Sequence, residues 1–342
     1  MNKKNLLINI FILVATFLIL FAVAEIIVKA SGIMNPPFKD NCDIHMLVDD
    51  QNIVYKLKPN ATGLCTGVDV KVNSHGLRDY EYKIEKDKDV FRIAVIGDSM
   101  TFGKGVKFED TFAKQLEGML NKGSNKKYDV LNFGVYGYNT LQERHTLEQY
   151  ALNFSPDLVI IVYILNDPQD IINIYSEIPY IPVISELRPW LNNLYFYRYA
   201  ARNYANVKGR LKGSPPYEKI MEYGYDDSTI EWQRTEDNLQ AIYNTTRREG
   251  IPALLVIFPK IYELDNYPFT ELHEKVEITA REQGFYVLDL FPYFEGLDER
   301  ELWVDAFEDH HANKKGHLIA AKAIYEELVK KGLAEQKRPD HN

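Results

Sequence analysis

Five apolar runs of strand length, each separated from the next by a stretch of helical period, restrict this chain's architecture more than any other feature. They are FRIAVI (91–96), YDVLNFGV (128–135), DLVIIVYIL (157–165), PALLVIF (252–258) and FYVLDL (285–290). A strand apolar at successive positions is buried on both faces, which happens in parallel sheets covered by helices. The intervening segments carry helical signals: Leu116, Met119 and Leu120 have i, i+3, i+4 spacing, and Gly250, Gly284 and Gly332 stand where helices should end. Alternating strand and helix predicts a doubly wound α/β domain: a five-stranded parallel sheet in a three-layer α/β/α sandwich over residues 91–333.

Outside that pattern, Asn5–Ala24 carries no charge, and a helix of ~20 residues crosses a bilayer core of ~30 Å. We read residues 1–30 as a transmembrane anchor with residues 5–28 in the membrane. Lys3 and Lys4 hold the short N-terminus in the cytoplasm, so the remainder faces outward. The alternative is a signal peptide cleaved after Ala22-Val23-Ala24, which gives a secreted protein; both readings export the soluble part. Residues 31–90 form a polar lead-in, expected to be membrane-proximal, with short strands around Val68, Val70 and Val72 and packing on the main domain. The two cysteines, Cys42 and Cys65, both lie in that lead-in, and outside the reducing cytosol they are candidates for a disulfide that closes it, with two free buried thiols the alternative. An aromatic- and proline-rich span, about 168–228, reads as an insertion between the third and fourth strands, and 334–342 as a polar tail. A net charge of −9 without a basic stripe excludes a nucleic-acid partner.

The first apolar run ends in Gly97-Asp98-Ser99. Gly97 to Gly103 is too short for the G-x-x-x-x-G-K-[ST] phosphate loop, no G-x-G-x-x-G follows, and Thr101 breaks the G-x-S-x-G elbow. What remains is a serine at the carboxyl end of a strand, the edge where doubly wound sheets bind ligands. The next two strands end at Gly134 and at Asn166-Asp167. A glycine leaves its N–H free to donate and an Asn amide is a neutral donor, so the N–H groups of Ser99 and Gly134 with the Asn166 amide are candidates for an oxyanion hole. A serine also needs a base and the base an orienting acid. Asp309 and His311, just before the last helical segment, supply both, with Glu308 the rival acid. A metal site built from Asp309, His310, His311 and His317 is disfavoured, because His311 and His317 lie six residues apart, off the i, i+4 spacing of helical ligands. The NSHGLRD stretch, with His75 and Arg78, reads as a structural turn, and contact of His75, Arg78 or Tyr138 with substrate stays open.

In that order, Ser99, Gly134, Asn166 and His311 resemble the four motif residues of the SGNH (GDSL-like) hydrolases, and HANKKGH is similar to that family's H-P-N-x-x-G-H ending with Ala312 in place of proline. The resemblance spans roughly residues 91–331. It implies a flavodoxin-like sheet, Ser99 as nucleophile, His311 as base, Asp309 as its orienter, and Ser99, Gly134 and Asn166 as oxyanion donors, with no cofactor. Ile164 stands where G-x-N-D has glycine, and the family's frequent D-x-x-H would select Glu308. The expected activity is hydrolysis of a carboxylic ester through an acyl-serine intermediate, on a lipid or, preferably, an O-acetylated glycan. An O-acyltransferase with the same serine and a non-catalytic surface protein on a degenerate hydrolase fold are the alternatives.

Overall fold

The computed structural model describes residues 3–31, 42–168, 194–197, 199, 200, 203, 217–305 and 309–335. Helix α1 (Lys3–Ser31) is followed by short antiparallel pairs, β1 (His45–Leu47) with β2 (Tyr55–Leu57) and β3 (Thr62–Cys65) with β4 (Val68–Lys71). The alternating part then runs β5 (Val90–Gly97), α2 (Ser99–Phe102), α3 (Phe112–Asn121), β6 (Lys127–Asn132), α4 (Thr140–Gln149) and β7 (Leu158–Ile164). It continues with α5 (Tyr217–Gly224), α6 (Ile230–Arg248), β8 (Ala253–Phe258), α7 (Thr270–Gln283), β9 (Tyr286–Asp289) and α8 (Phe291–Phe294). The last elements are β10 (Trp303–Asp305), β11 (Asp309–Ala312) and α9 (Lys314–Lys330).

Five strands form one parallel sheet in the order β6-β5-β7-β8-β9, the doubly wound arrangement expected from the apolar runs. Every residue of β5, β7 and β8 is buried, because helices cover both faces. Alternation divides each strand between two cores: Ile93 and Val95 pack with residues of α3 and α9, while Ala94 and Ile96 pack with residues of α4, α6 and α7. Burying a large aliphatic side chain stabilises by about 1.5–3 kcal/mol, so these two layers dominate the fold's stability.

The lead-in contributes to a third core. Ile44, Ile53, Tyr55, Leu57, Val70 and Val72 cluster with Phe102, Val135 and Tyr138, and a Cys42–Cys65 disulfide closes the lead-in on itself. The NSHGLRD turn is built into the main domain by its charges. Asp79 Oδ1 accepts from Lys114 Nζ at 2.7 Å, and Asp79 Oδ2 accepts from the Asn132 N–H at 2.7 Å.

Contacts divide the chain into two compact units, one holding α1 and the described residues between 194 and 203, the other the sheet and its helices. In the first, α1 exposes Leu6–Ile27 side chains along most of its length and is the one described helix long and apolar enough to cross a membrane. Near its end, Glu25 accepts from the N–H groups of Tyr195 (2.8 Å) and Phe196 (2.7 Å). The expected insertion falls largely outside the described residues, as do Glu308 and most of the 334–342 tail.

Candidate active site

Strand β5 stops at Gly97 because the chain must turn under a close backbone contact. A Cβ there would stand 2.3 Å from Thr101 Oγ1 and 3.0 Å from the Val162 carbonyl oxygen. Asp98 caps the one-turn helix α2, its Oδ1 accepting from the Met100 N–H at 2.8 Å, and Gly103 ends the turn at φ 80°. Ser99 is thereby fixed as the first helical residue, 9% exposed, at the carboxyl edge of the sheet. The crevice between β5 and β7 is the point where strand order reverses, and Ser99 and Asn166 follow those two strands.

Ser99 and His311 meet across 212 residues of sequence, with Oγ 2.7 Å from Nε2. Asp309 Oδ1 takes the Nδ1 side of the same ring and also accepts from the His311 N–H at 3.1 Å. A carboxylate on Nδ1 fixes the proton there, leaving Nε2 to accept the serine O–H. Asp98 Oδ2, 3.2 Å from the same hydroxyl, competes for its single proton. Strand β11 aims the pair: Asp309 and Ala312 are buried, and His310 turns away to stack on Trp303 at 4.1 Å between ring centres. Burial pushes the Asp309 carboxyl upward, but the His311 bond and the charges of His311 and Lys104 outweigh it and hold it well below the usual carboxylate range.

That lysine was not among the sequence candidates. Lys104 Nζ lies 2.9 Å from Asp309 Oδ2, gripping the oxygen that His311 leaves free. It lies on the loop after α2, which Arg78 clamps. The Arg78 guanidinium donates to the carbonyls of Phe102 (3.0 Å), Gly103 (2.6 Å) and Val106 (2.7 Å) and is 1% exposed. Arg78 therefore supports the loop that follows Ser99 from behind.

The three candidate oxyanion donors differ in availability. The Ser99 N–H and the Asn166 Nδ2 make no hydrogen bond among the described residues. The Gly134 N–H, which the sequence reading left free, donates to Asn132 Oδ1 at 2.9 Å. The cause is local: Asn132 ends β6, and an Asn side chain readily bonds the backbone two residues on. Gly134 also has no room for a side chain, since a Cβ would stand 2.2 Å from the Phe102 nitrogen and 2.6 Å from the Thr101 carbonyl carbon. Its backbone lies directly against α2. Below Asn166, Asp167 and Glu143 are buried, with both Glu143 oxygens and Asp167 Oδ1 lacking hydrogen bonds among the described residues. Burial, and then neighbouring carboxylates, pushes both carboxyls well above the usual range.

His317 does not join His311. Its Nδ1 accepts from the Phe112 N–H at 3.1 Å and its ring stacks on Phe112, so it packs α9 against α3. No cluster of three metal-ligating side chains occurs among the described residues. His75 and Tyr138 line a cavity of about 210 Å³ between the lead-in and α4, together with Phe133, Gly134, Tyr150 and Phe154.

The arrangement can take a proton from a serine, hold it on an oriented imidazole, and present two free donors on the same sheet edge. The family model for the GDSL-like lipase/acylhydrolases matches residues 95–319, well over half of the chain. The protein belongs to this family, hydrolases that act on ester bonds. Solved structures to which the chain is similar include a two-domain esterase active on acetylated mannans, at 18% identity over 74% of this chain and TM-score 0.45. The match covers 52% of that protein, so this chain spans about half of its length. Others are an acetyl-xylooligosaccharide esterase from Geobacillus stearothermophilus in mutant form (17% identity, 72% of this chain, 95% of that one, TM-score 0.44) and a G-D-S-L family lipolytic protein from Desulfitobacterium hafniense (16%, 69%, 98%, 0.39). No curated protein sequence matches the chain.

Proposed function

We propose that this ester hydrolase is a membrane-anchored, outward-facing serine esterase. The observation that carries the reading is the 2.7 Å contact between Ser99 Oγ and His311 Nε2, with Asp309 on the far side of the ring. His311 takes the serine proton as Oγ attacks the acyl carbon, and the carbonyl oxygen becomes an oxyanion. That charge meets the Ser99 N–H and Asn166 Nδ2, and the Gly134 N–H joins by sharing its bond with Asn132. Collapse breaks the ester C–O bond, and the leaving alcohol carries away the proton from His311. Water then repeats the sequence on the acyl-serine: His311 takes its proton and returns it to Ser99 as the acid departs.

The substrate we assign is an O-acetyl ester of a glycan, since the sequence carries no signal for a long apolar groove. Anchoring rests on α1, exposed and apolar over its length, and the outward orientation on Lys3 and Lys4 at its start. The Cys42–Cys65 disulfide supports export, because such bonds persist outside the reducing cytosol.

The test is fluorophosphonate labelling of the detergent-solubilised protein, with mass spectrometry to locate the adduct. An adduct on Ser99, absent from Ser99→Ala and His311→Ala, is expected. Folded protein that does not label points instead to a non-catalytic scaffold. Loss of a triad member lowers kcat on the order of 10³-fold or more. Initial rates on acetyl and octanoyl p-nitrophenyl esters and on acetylated xylan test the substrate class, with faster turnover of the acetyl compounds expected.

A further inference from the structure

Lys260 lies two residues beyond β8, on the same carboxyl edge as Ser99 and Asn166, and its ammonium donates to Asn166 Oδ1 at 2.7 Å. An ammonium has three donors and no acceptor, so the atom facing it must be the amide oxygen. The amide is planar, and Nδ2 is therefore turned away from the lysine. In the opposite flip, an oxygen would point where the proposed oxyanion forms and repel it.

The backbone of Lys260 is itself fixed by a directed chain of hydrogen bonds. Its N–H donates to Tyr267 Oη at 3.0 Å, Tyr267 Oη lies 2.9 Å from His273 Nε2, and His273 Nδ1 lies 2.8 Å from Asp289 Oδ1 at the end of β9. The carboxylate selects the Nδ1–H form of His273, so Nε2 accepts the tyrosine O–H and the tyrosine oxygen is left to accept from Lys260. Burial lowers the lysine's affinity for its proton, and nearby Asp98 opposes that shift. An anchored donor thus sits on one atom of the Asn166 amide, and nothing described occupies the other.

We propose that Lys260 is a positioning residue that locks the Asn166 amide with Nδ2 toward the oxyanion of the tetrahedral intermediate. The proposal rests on the serine-esterase reading. It is tested by a double-mutant cycle in the full-length, detergent-solubilised protein, measuring kcat and KM on p-nitrophenyl acetate for Lys260→Met, Lys260→Arg, Asn166→Ala and Lys260→Met/Asn166→Ala. Lys260→Met is expected to lower kcat about 10²-fold with KM little changed, the size of losing one oxyanion donor. In the Asn166→Ala background the same substitution is expected to have no further effect, and Lys260→Arg, which keeps a charged donor, should recover most of the rate. Unchanged kcat in Lys260→Met, or an equal loss with and without Asn166, overturns the proposal. Thermal unfolding of each variant separates a folding defect; should Lys260→Met fail to fold, the cycle is run with Lys260→Gln against Lys260→Arg and judged by the same criterion. Full activity in Ser99→Ala would instead overturn the serine reading, a different outcome from an inert Lys260→Met in an enzyme that needs Ser99.

Discussion

Replacing Arg78 with methionine removes a buried cation and leaves three carbonyls, those of Phe102, Gly103 and Val106, without their charged donor. A hydrogen bond from a charged group is worth roughly 1.5–3 kcal/mol, so losing three costs roughly 6 kcal/mol together. Against this stands relief from burying the guanidinium, whose pKa burial lowers to about 10 from 12.5, a penalty of roughly 3 kcal/mol. The expected net loss is roughly 3 kcal/mol, which at about 2–3 °C per kcal/mol lowers Tm by roughly 5–10 °C. Arg78→Lys should remain close to the methionine variant, because one ammonium cannot reproduce a fork spread over three carbonyls. The assay is thermal unfolding of the solubilised protein beside ester hydrolysis well below Tm. Activity should fall as well, since the clamped loop carries the Lys104 that grips Asp309. An Arg78→Met protein within 1 kcal/mol of the parent and fully active would refute the idea that the lead-in braces the site.

Other expectations follow from single features. Cys42→Ser opens a loop with sequence separation 23 and should cost about 3 kcal/mol on the chain-entropy account, a loss that vanishes when parent and variant are compared under reduction. Gly134→Ala forces a methyl onto the backbone of α2 and should cost about 1–3 kcal/mol and lower kcat about 10²-fold, read by unfolding and initial rates. Burial, then the charges of Arg78 and His311, lowers the pKa of His317 to about 3 from 6.5. Its contribution is thus fully present above pH 6.5 and is lost as pH falls from there toward 3. Between pH 7 and 5 this amounts to about 2 kcal/mol, and His317→Gln should flatten that part of the stability profile by the same amount.

The sheet was legible because strands buried on both faces must be apolar at every position, and β5, β7 and β8 are. Strand β6 is regular only as far as Asn132, although the Phe133 and Val135 N–H groups still donate to the carbonyls of Val95 (2.8 Å) and Gly97 (3.1 Å), so the apolar run stays against β5 to its end. Ser99, Asn166 and His311 could be chosen from their places at element ends. Lys104 and Lys260 could not, since each acts through a partner far away in sequence and a lysine in a loop reads as solvated. One signal was present: Lys260 follows the fourth apolar run on the edge where this fold binds ligands. Arg78 was visible within NSHGLRD, but its partners are carbonyls, which no sequence motif marks. Of the two acids weighed from the sequence, Asp309 meets the His311 imidazole from β11, and Glu308 lies outside the described residues.

Ser99 and His311 are 212 residues apart. At synthesis rates of about 5–20 residues per second, the serine precedes its base off the ribosome by roughly 10–40 s. If His311 is the base we propose, a growing chain holds during that interval only an ordinary serine hydroxyl, even if β5 has already paired. On the proposed mechanism, reactivity switches on only when the last strand and helix dock, so completion of the fold is itself the activation step. A chain cut short before His311 would be chemically silent wherever it ended up.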